Sequence, residues 1–252
     1  MKFFIITKRH IMWCMSCLLA VIIAAVGSVA TFANSDRKLP IYCVETDKKQ
    51  VAISFDAAWG NDDTEQLIKI LAEYNVPATF FVVGAWVDKY PESVKQLSDA
   101  GHQVQNHSNT HPYMTGLSTE QMVDELESCN KKIENVTGKR PTLFRPPYGD
   151  YDNRVIDAVT SVDMFTIQWD CDSLDWKDNA TPESICKRVT SKVKNGSIVL
   201  FHNDADHTPA ALPNILKCLK DEGYEFVFIS DLILKENYEI KHEGTQCKIE
   251  NR

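Results

Sequence analysis

The chain has 252 residues, a formal net charge of -8 and 44% hydrophobic content, enough for one sizeable domain core. Its acidity, with no cluster of Lys and Arg, excludes nucleic acid as the expected partner and leaves a neutral or polymeric sugar open. No protein partner is deducible.

At the amino terminus Lys2, Lys8, Arg9 and His10 precede an uncharged run from Ile11 to Ala33. That run is long enough to cross a bilayer, which takes about 20 apolar residues, and its flanking charge places the amino terminus in the cytoplasm. Residues 1–36 are therefore expected to be a basic segment followed by a transmembrane anchor or a signal peptide, with the remainder exported and the membrane as a partner. Cys14 and Cys17 lie inside this run without further ligands; the other six Cys are widely spaced, with no zinc-like pairing. Disulfides can form among them after export, but a core of this size does not need them.

Leu39 to Thr46 reads as a short lead-in strand. Val51 to Phe55 is an apolar strand that delivers Asp56 at its tip, before Gly60 and the polar turn Asn61-Asp62-Asp63, which is how α/β folds present reactive groups. Leu67, Ile68, Leu71 and Ala72 recur at helical spacing within Thr64 to Tyr74. Ala78 to Val83 is a second apolar strand, Pro91 to Ala100 a helix stopped by Gly101, and His102 to Asn106 a more polar strand leading into His107. Ser118 and Gln121 form a capping box for a helix running through about Val136. Thr142 to Phe144 is a brief strand closed by Arg145-Pro146-Pro147. Asn153 to Val162 is helical in pattern, and Met164 to Trp169 is a strand that runs out into Asp170, Asp172 and Asp175. Thr181 and Pro182 open a helix reaching Lys194. Ile198 to Phe201 is a strand ending at His202, Ala210 to Glu222 a helix, and Glu225 to Ile229 the last strand. The main domain is thus 37–236, and 237–252 is expected to be a polar, loosely held tail.

Strands and helices alternate about seven times, which predicts an α/β fold, a distorted (β/α) barrel of about seven strands. A doubly wound open sheet is the competitor, but Trp59-Gly60-Asn61 after the first strand has nothing of a glycine-rich nucleotide loop.

Consecutive strand exits carry reactive groups: Asp56; His107 with His111; Arg145; Asp172 or Asp175; and His202. On a barrel these open on one face. If the segment turns helically, His107 and His111 hold one divalent ion, zinc foremost, with Co, Ni, Mn or Fe as alternatives; otherwise they are a packing pair. Such an ion polarises a carbonyl and activates water, with Asp56 suited as base and His202 as acid. Arg145 keeps Asp56 charged or is a plain structural ion pair. An Asp from the 172/175 loop orients His202 or is solvated surface. Trp176 and Tyr148 wall a sugar subsite or pack at a rim.

Five motifs occur in order: SFDAAWG (Ser54 to Gly60), HSNTH (His107 to His111), RPPYG (Arg145 to Gly149), DSLDW (Asp172 to Trp176) and LFH (Leu200 to His202). Over roughly Lys49 to Leu234 the chain resembles the polysaccharide deacetylase family, also known as the NodB-homology domain or carbohydrate esterase family 4. The long anchor and the SFDAAWG form are most similar to the sporulation-associated deacetylases of Bacillus and clostridia. The resemblance implies metal-assisted N-deacetylation of an N-acetylated wall polysaccharide, peptidoglycan or another N-acetylglucosamine polymer, outside the cell membrane or in the spore envelope. It casts Asp56 as base, His202 as acid, and His107 and His111 as metal ligands. Arg145 would position Asp56, Asp175 would support His202, the Tyr148 N–H would hold the oxyanion, Trp176 would border the acid, and Leu200 would receive the acetyl methyl. In one respect the chain departs from the pattern: the family's first motif carries two consecutive aspartates, the second a metal ligand, and here that position is Ala57. A methyl cannot ligate, so metal dependence is expected to be weak or unusual unless Asp62 or Asp63 turns in. The alternative is a catalytically weak or inactive glycan-binding wall protein; a third reading is an esterase or amidase on another acylated substrate.

Overall fold

The computed structural model describes residues 37–249. In chain order its elements are β1 (Cys43–Val44), β2 (Gln50–Ala57), α1 (Thr64–Glu73), β3 (Ala78–Val82), α2 (Gly84–Lys89), α3 (Pro91–Asp99), β4 (Gln103–Asn106), α4 (Thr119–Thr137), β5 (Leu143–Phe144), α5 (Asn153–Ser161) and β6 (Phe165–Thr166). They continue with β7 (Cys171–Asp172), α6 (Pro182–Lys192), β8 (Ser197–His202), α7 (Thr208–Asp221), β9 (Glu225–Phe226), α8 (Ile229–Leu232), β10 (Tyr238–Ile240) and β11 (Thr245–Lys248). The strands form one sheet in the order β10-β11-β1-β8-β2-β3-β4-β5-β6, with β7 also on β8 and β9 also on β2. From β8 across to β6 the neighbours run parallel. This is the distorted (β/α) barrel expected.

The period of two along β2 sorts its side chains. Val51, Ile53, Phe55 and Ala57 join the apolar layer beneath the helices, while Ala52 belongs to the inner cluster with Phe81 and Ile198. Ser54 and Asp56 share that inner face, and both reach Arg145. Helix starts follow local chemistry: capping boxes at Ser118 with Gln121 and at Thr181 with Ser184, the second followed by Pro182 at the first turn.

The lead-in stretch does more than lead in. The Ile41 N–H donates to the Thr166 carbonyl at 2.9 Å, and the Gln168 N–H donates to the Ile41 carbonyl at 2.7 Å. Two residues later Cys43 pairs with Ser197 of β8. A few residues thus tie β8 to the chain just past β6, across the gap of the curled sheet.

Several expectations are corrected. The helices α2 and α8 were not anticipated, and the strand expected over Met164 to Trp169 is a two-residue β6 followed by a single bridge at Ile167. After Asn237 the chain does not trail off: β10 and β11 form an antiparallel pair, and β11 lies parallel to β1. Against the expected membrane anchor, membrane partner and membrane-side localisation stands one finding, that no helix among the described residues is long and apolar enough to cross a membrane. The run in which the anchor was expected, Ile11 to Ala33, lies outside the described residues.

Candidate functional site

Asp56 sits at the tip of β2, directly opposite His202 at the tip of β8. Its Oδ1 accepts from the Arg145 guanidinium at 2.8 Å, and its Oδ2 lies 3.6 Å from His107 Nε2. Arg145 is fully buried; it also donates to Ser54 Oγ and the Gln168 carbonyl, and lies 4.2 Å over the Phe81 ring. Burial works against the Asp56 charge, but Arg145, His107 and His202 outweigh it and hold the carboxyl below its ordinary range.

The two histidines of HSNTH do converge, with ring centroids 5.0 Å apart, but not on a helix. Residues 107–111 form an irregular loop in which Ser108 and His111 take positive φ, at 68° and 63°. Glu125 on α4 clamps it, accepting the N–H groups of Asn109 and Thr110 at 2.8 Å each. Because His107 Nδ1 donates to the Arg145 carbonyl at 2.7 Å, the Nε2 of the neutral ring carries the lone pair. Burial lowers the His107 pKa, and burial together with His107 pushes His111 down to about 4.

His202 is held by Asp175, not Asp172: its Nδ1 lies 2.8 Å from Asp175 Oδ1, and its backbone N–H donates to Oδ2 at the same distance. Thr208 adds a hydroxyl to that carboxylate at 2.6 Å. Burial favours the neutral ring, yet the hydrogen bond and charge of Asp175, with Asp56 and Asp172, raise the His202 pKa. Asp172 turns instead to the Leu174 N–H.

These groups face a cavity of about 400 Å³ whose walls include Trp59, Tyr148, Trp169, Trp176 and Leu200. A second depression of about 250 Å³ shares Trp59, Trp176 and His202 with it, so the opening is an elongated groove. Tyr148, with φ 59°, turns its ring outward. Gln168, Thr208 and Glu125, which position the others, lie outside the five motifs, and Ser54, inside the first, had no role assigned to it; each acts through a contact to a residue distant in sequence.

The site gathers a buried carboxylate and a carboxylate-held imidazole, with no site for a Lewis acid among the described residues. Ala57 is 1% exposed and packs in the apolar layer, and Asp56 is committed to Arg145. Asp63 accepts the Asp204 N–H with one carboxylate oxygen. Two imidazoles are left, and no group of three or more His, Cys, Asp or Glu among the described residues is placed to hold a metal ion. The zinc cofactor and the metal role of His107 and His111 are therefore corrected: the donor set does not fit a divalent ion.

Residues 44–167 match the family model described as polysaccharide deacetylase. The chain is 36% identical to the uncharacterized protein YlxY of Bacillus subtilis, over 77% of this chain and 60% of that one. It is likewise 36% identical to a peptidoglycan-N-acetylglucosamine deacetylase of Bacillus cereus, over 75% of this chain and 91% of that one. Among solved structures, BA3943 of Bacillus anthracis, described as a CE4 family pseudoenzyme, superposes with a TM-score of 0.74 at 36% identity, covering 77% of this chain and 68% of that one. A mutant of BA3943 is described as having restored enzymatic activity. The chain spans roughly 40 to 60% of the length of the first curated relatives it matches.

Proposed function

Because the chain belongs to the polysaccharide deacetylase family and yet carries a methyl at position 57, we propose that it binds N-acetylated wall glycan in the groove without hydrolysing it. The single observation that carries this reading is Ala57, buried in the apolar layer where the family pattern needs a ligating carboxylate. The metal-dependent deacetylase expected from the motifs is set aside on that ground, and the pseudoenzyme description of BA3943 supports the same direction.

Retained binding has its own support. Five residues around the groove other than glycine, Ser108, His111, Tyr148, Leu174 and Asp204, have positive φ, each costing on the order of 1 kcal/mol. Their strain still shapes an aromatic-walled opening. The peptidoglycan-acting relatives make a bacterial wall polymer the glycan of choice, and the narrower likeness to sporulation-associated deacetylases, resting on the SFDAAWG form, belongs to the same proposal.

The test is paired. The full chain is titrated with N-acetylglucosamine oligomers and purified peptidoglycan while acetate is assayed, with an active relative as control. Binding without acetate is the expected result. Acetate release above the blank overturns the loss of turnover, and failure to bind any of these glycans overturns the binding role.

A further inference from the structure

The aromatic wall of the groove does not stop at its edge. Trp59 meets His111 at 5.5 Å between ring centroids, His111 meets Tyr148 edge-on at 4.6 Å, and Tyr148 stacks on Tyr113 at 4.2 Å with the planes 17° apart. Tyr148 lines the cavity; Tyr113 is not among the lining residues and stands outside it. Both rings are largely exposed, Tyr113 at 62% and Tyr148 at 56%. One face of the Tyr113 ring is therefore stacked on Tyr148, while most of the residue remains exposed to solvent.

This pair is built, not left over. Tyr113 and Tyr148 come from loops after different strands, and those loops are hydrogen-bonded to each other. Thr115 donates its backbone N–H and its hydroxyl to the Asp150 carboxylate, at 2.8 Å for the N–H, and Arg154 donates to the Thr115 carbonyl at 2.8 Å and to Leu117 at 3.3 Å. Tyr148 accepts a left-handed backbone to present its ring. Two stacked rings held rigidly in water are an exposed apolar surface with little conformational entropy left to lose on binding.

A cavity of about 400 Å³ lies near the small end of ligand sites and has room for about one sugar unit. A polymer seated there continues beyond the cavity, along the depression beside Trp176 and, past Tyr148, over the surface, where the unbroken aromatic run leads onto Tyr113. We propose that Tyr113 is the platform of a separate subsite, outside the cavity, for the next pyranose ring of an N-acetylated glycan, the apolar face of the sugar lying on the open face of the tyrosine. This rests on the glycan-binding reading above.

Calorimetric titration of the full chain with N-acetylglucosamine oligomers, from the monosaccharide to the hexasaccharide, tests it on wild type, Tyr113→Ala and Tyr113→Phe. In wild type, affinity rises once the oligomer is long enough to leave the cavity. Tyr113→Ala removes that rise, weakening the long oligomers roughly 3- to 10-fold while sparing the shortest one that binds, and Tyr113→Phe keeps it. Equal affinity of wild type and Tyr113→Ala for the long oligomers overturns the subsite and leaves the glycan-binding reading standing. So does a loss that is the same at every length. Absence of binding by wild type at all lengths overturns both.

Discussion

At the scale of single residues, the arrangement around Asp56 shows what an electrostatic pair does once the ion it would serve has no seat. A fully buried guanidinium beside a buried carboxylate offsets two desolvation costs against each other, and losing either partner would strand the other. Asp56 is consequently fixed by the fold whether or not it acts on a water. His107 is equally committed through Nδ1, so its lone pair faces the site by construction. What is absent is the third donor. Ala57→Asp is accordingly expected to tighten zinc binding by more than about 100-fold over wild type, since a ligand should matter more than the groups that merely orient ligands. Acetate release from N-acetylglucosamine oligomers should appear with it. Calorimetry with zinc, run beside the acetate assay, decides: a variant that folds but binds zinc no better than wild type would mean that position 57 is not what silences the site.

At the scale of elements, strands whose burial is continuous were legible and elements made by distant pairing were not. Val51 to Phe55 and Ile198 to Phe201 announce themselves as apolar runs ending on Asp56 and His202, and the structure extends each by a residue or more. β7 and the pair β10 and β11 escaped because their strand character comes from their partners: Cys171 and Asp172 lie on β8, and polar β11 lies on β1. The convergence of His107 and His111 was readable from spacing, but its cause was not, since the loop is shaped by Glu125 from a later helix. The lead-in stretch depends on such a partner as well. Gly196, at φ 78°, donates no side chain to the contact; a Cβ there would sit 1.8 Å from the Val44 carbonyl oxygen. Gly196→Ala is therefore expected to destabilise the domain by at least about 2 kcal/mol, combining left-handed strain with a backbone clash. Urea denaturation measures this, and a loss below about 0.5 kcal/mol would show that the lead-in stretch is not seated against β8 as described.

For the molecule as a whole, the same barrel that gathers the site at one face buries a titratable group away from it, and this gives stability a pH dependence separable from function. His102, just before β4, is 6% exposed, neither ring nitrogen has a hydrogen-bond partner, and the ring rests against Phe80. Burial pushes its pKa down to about 4 from an ordinary 6.5. Between those values the unfolded chain binds the proton and the folded chain does not, so stability falls as pH drops from about 6.5 and stops falling below about 4. Asp63, raised to about 6 by burial, works in the opposite direction, because its folded carboxyl takes up a proton before the unfolded one does. His202, whose pKa is raised, also favours the folded state at low pH. The whole-protein curve is thus a compromise, and His102 has to be isolated by difference. In His102→Leu, the stability lost between pH 7 and pH 4.5 should shrink by on the order of 2 kcal/mol relative to wild type, as a shift of this size converts through linkage. Chemical denaturation of both proteins at both pH values tests it. Parallel pH curves would show that the imidazole is protonated inside the fold at no cost, contrary to a ring with no partner for its proton. Since His102 lies on the far side of β4 from His107, glycan binding should follow its own pH course, unchanged in the variant wherever the variant remains folded.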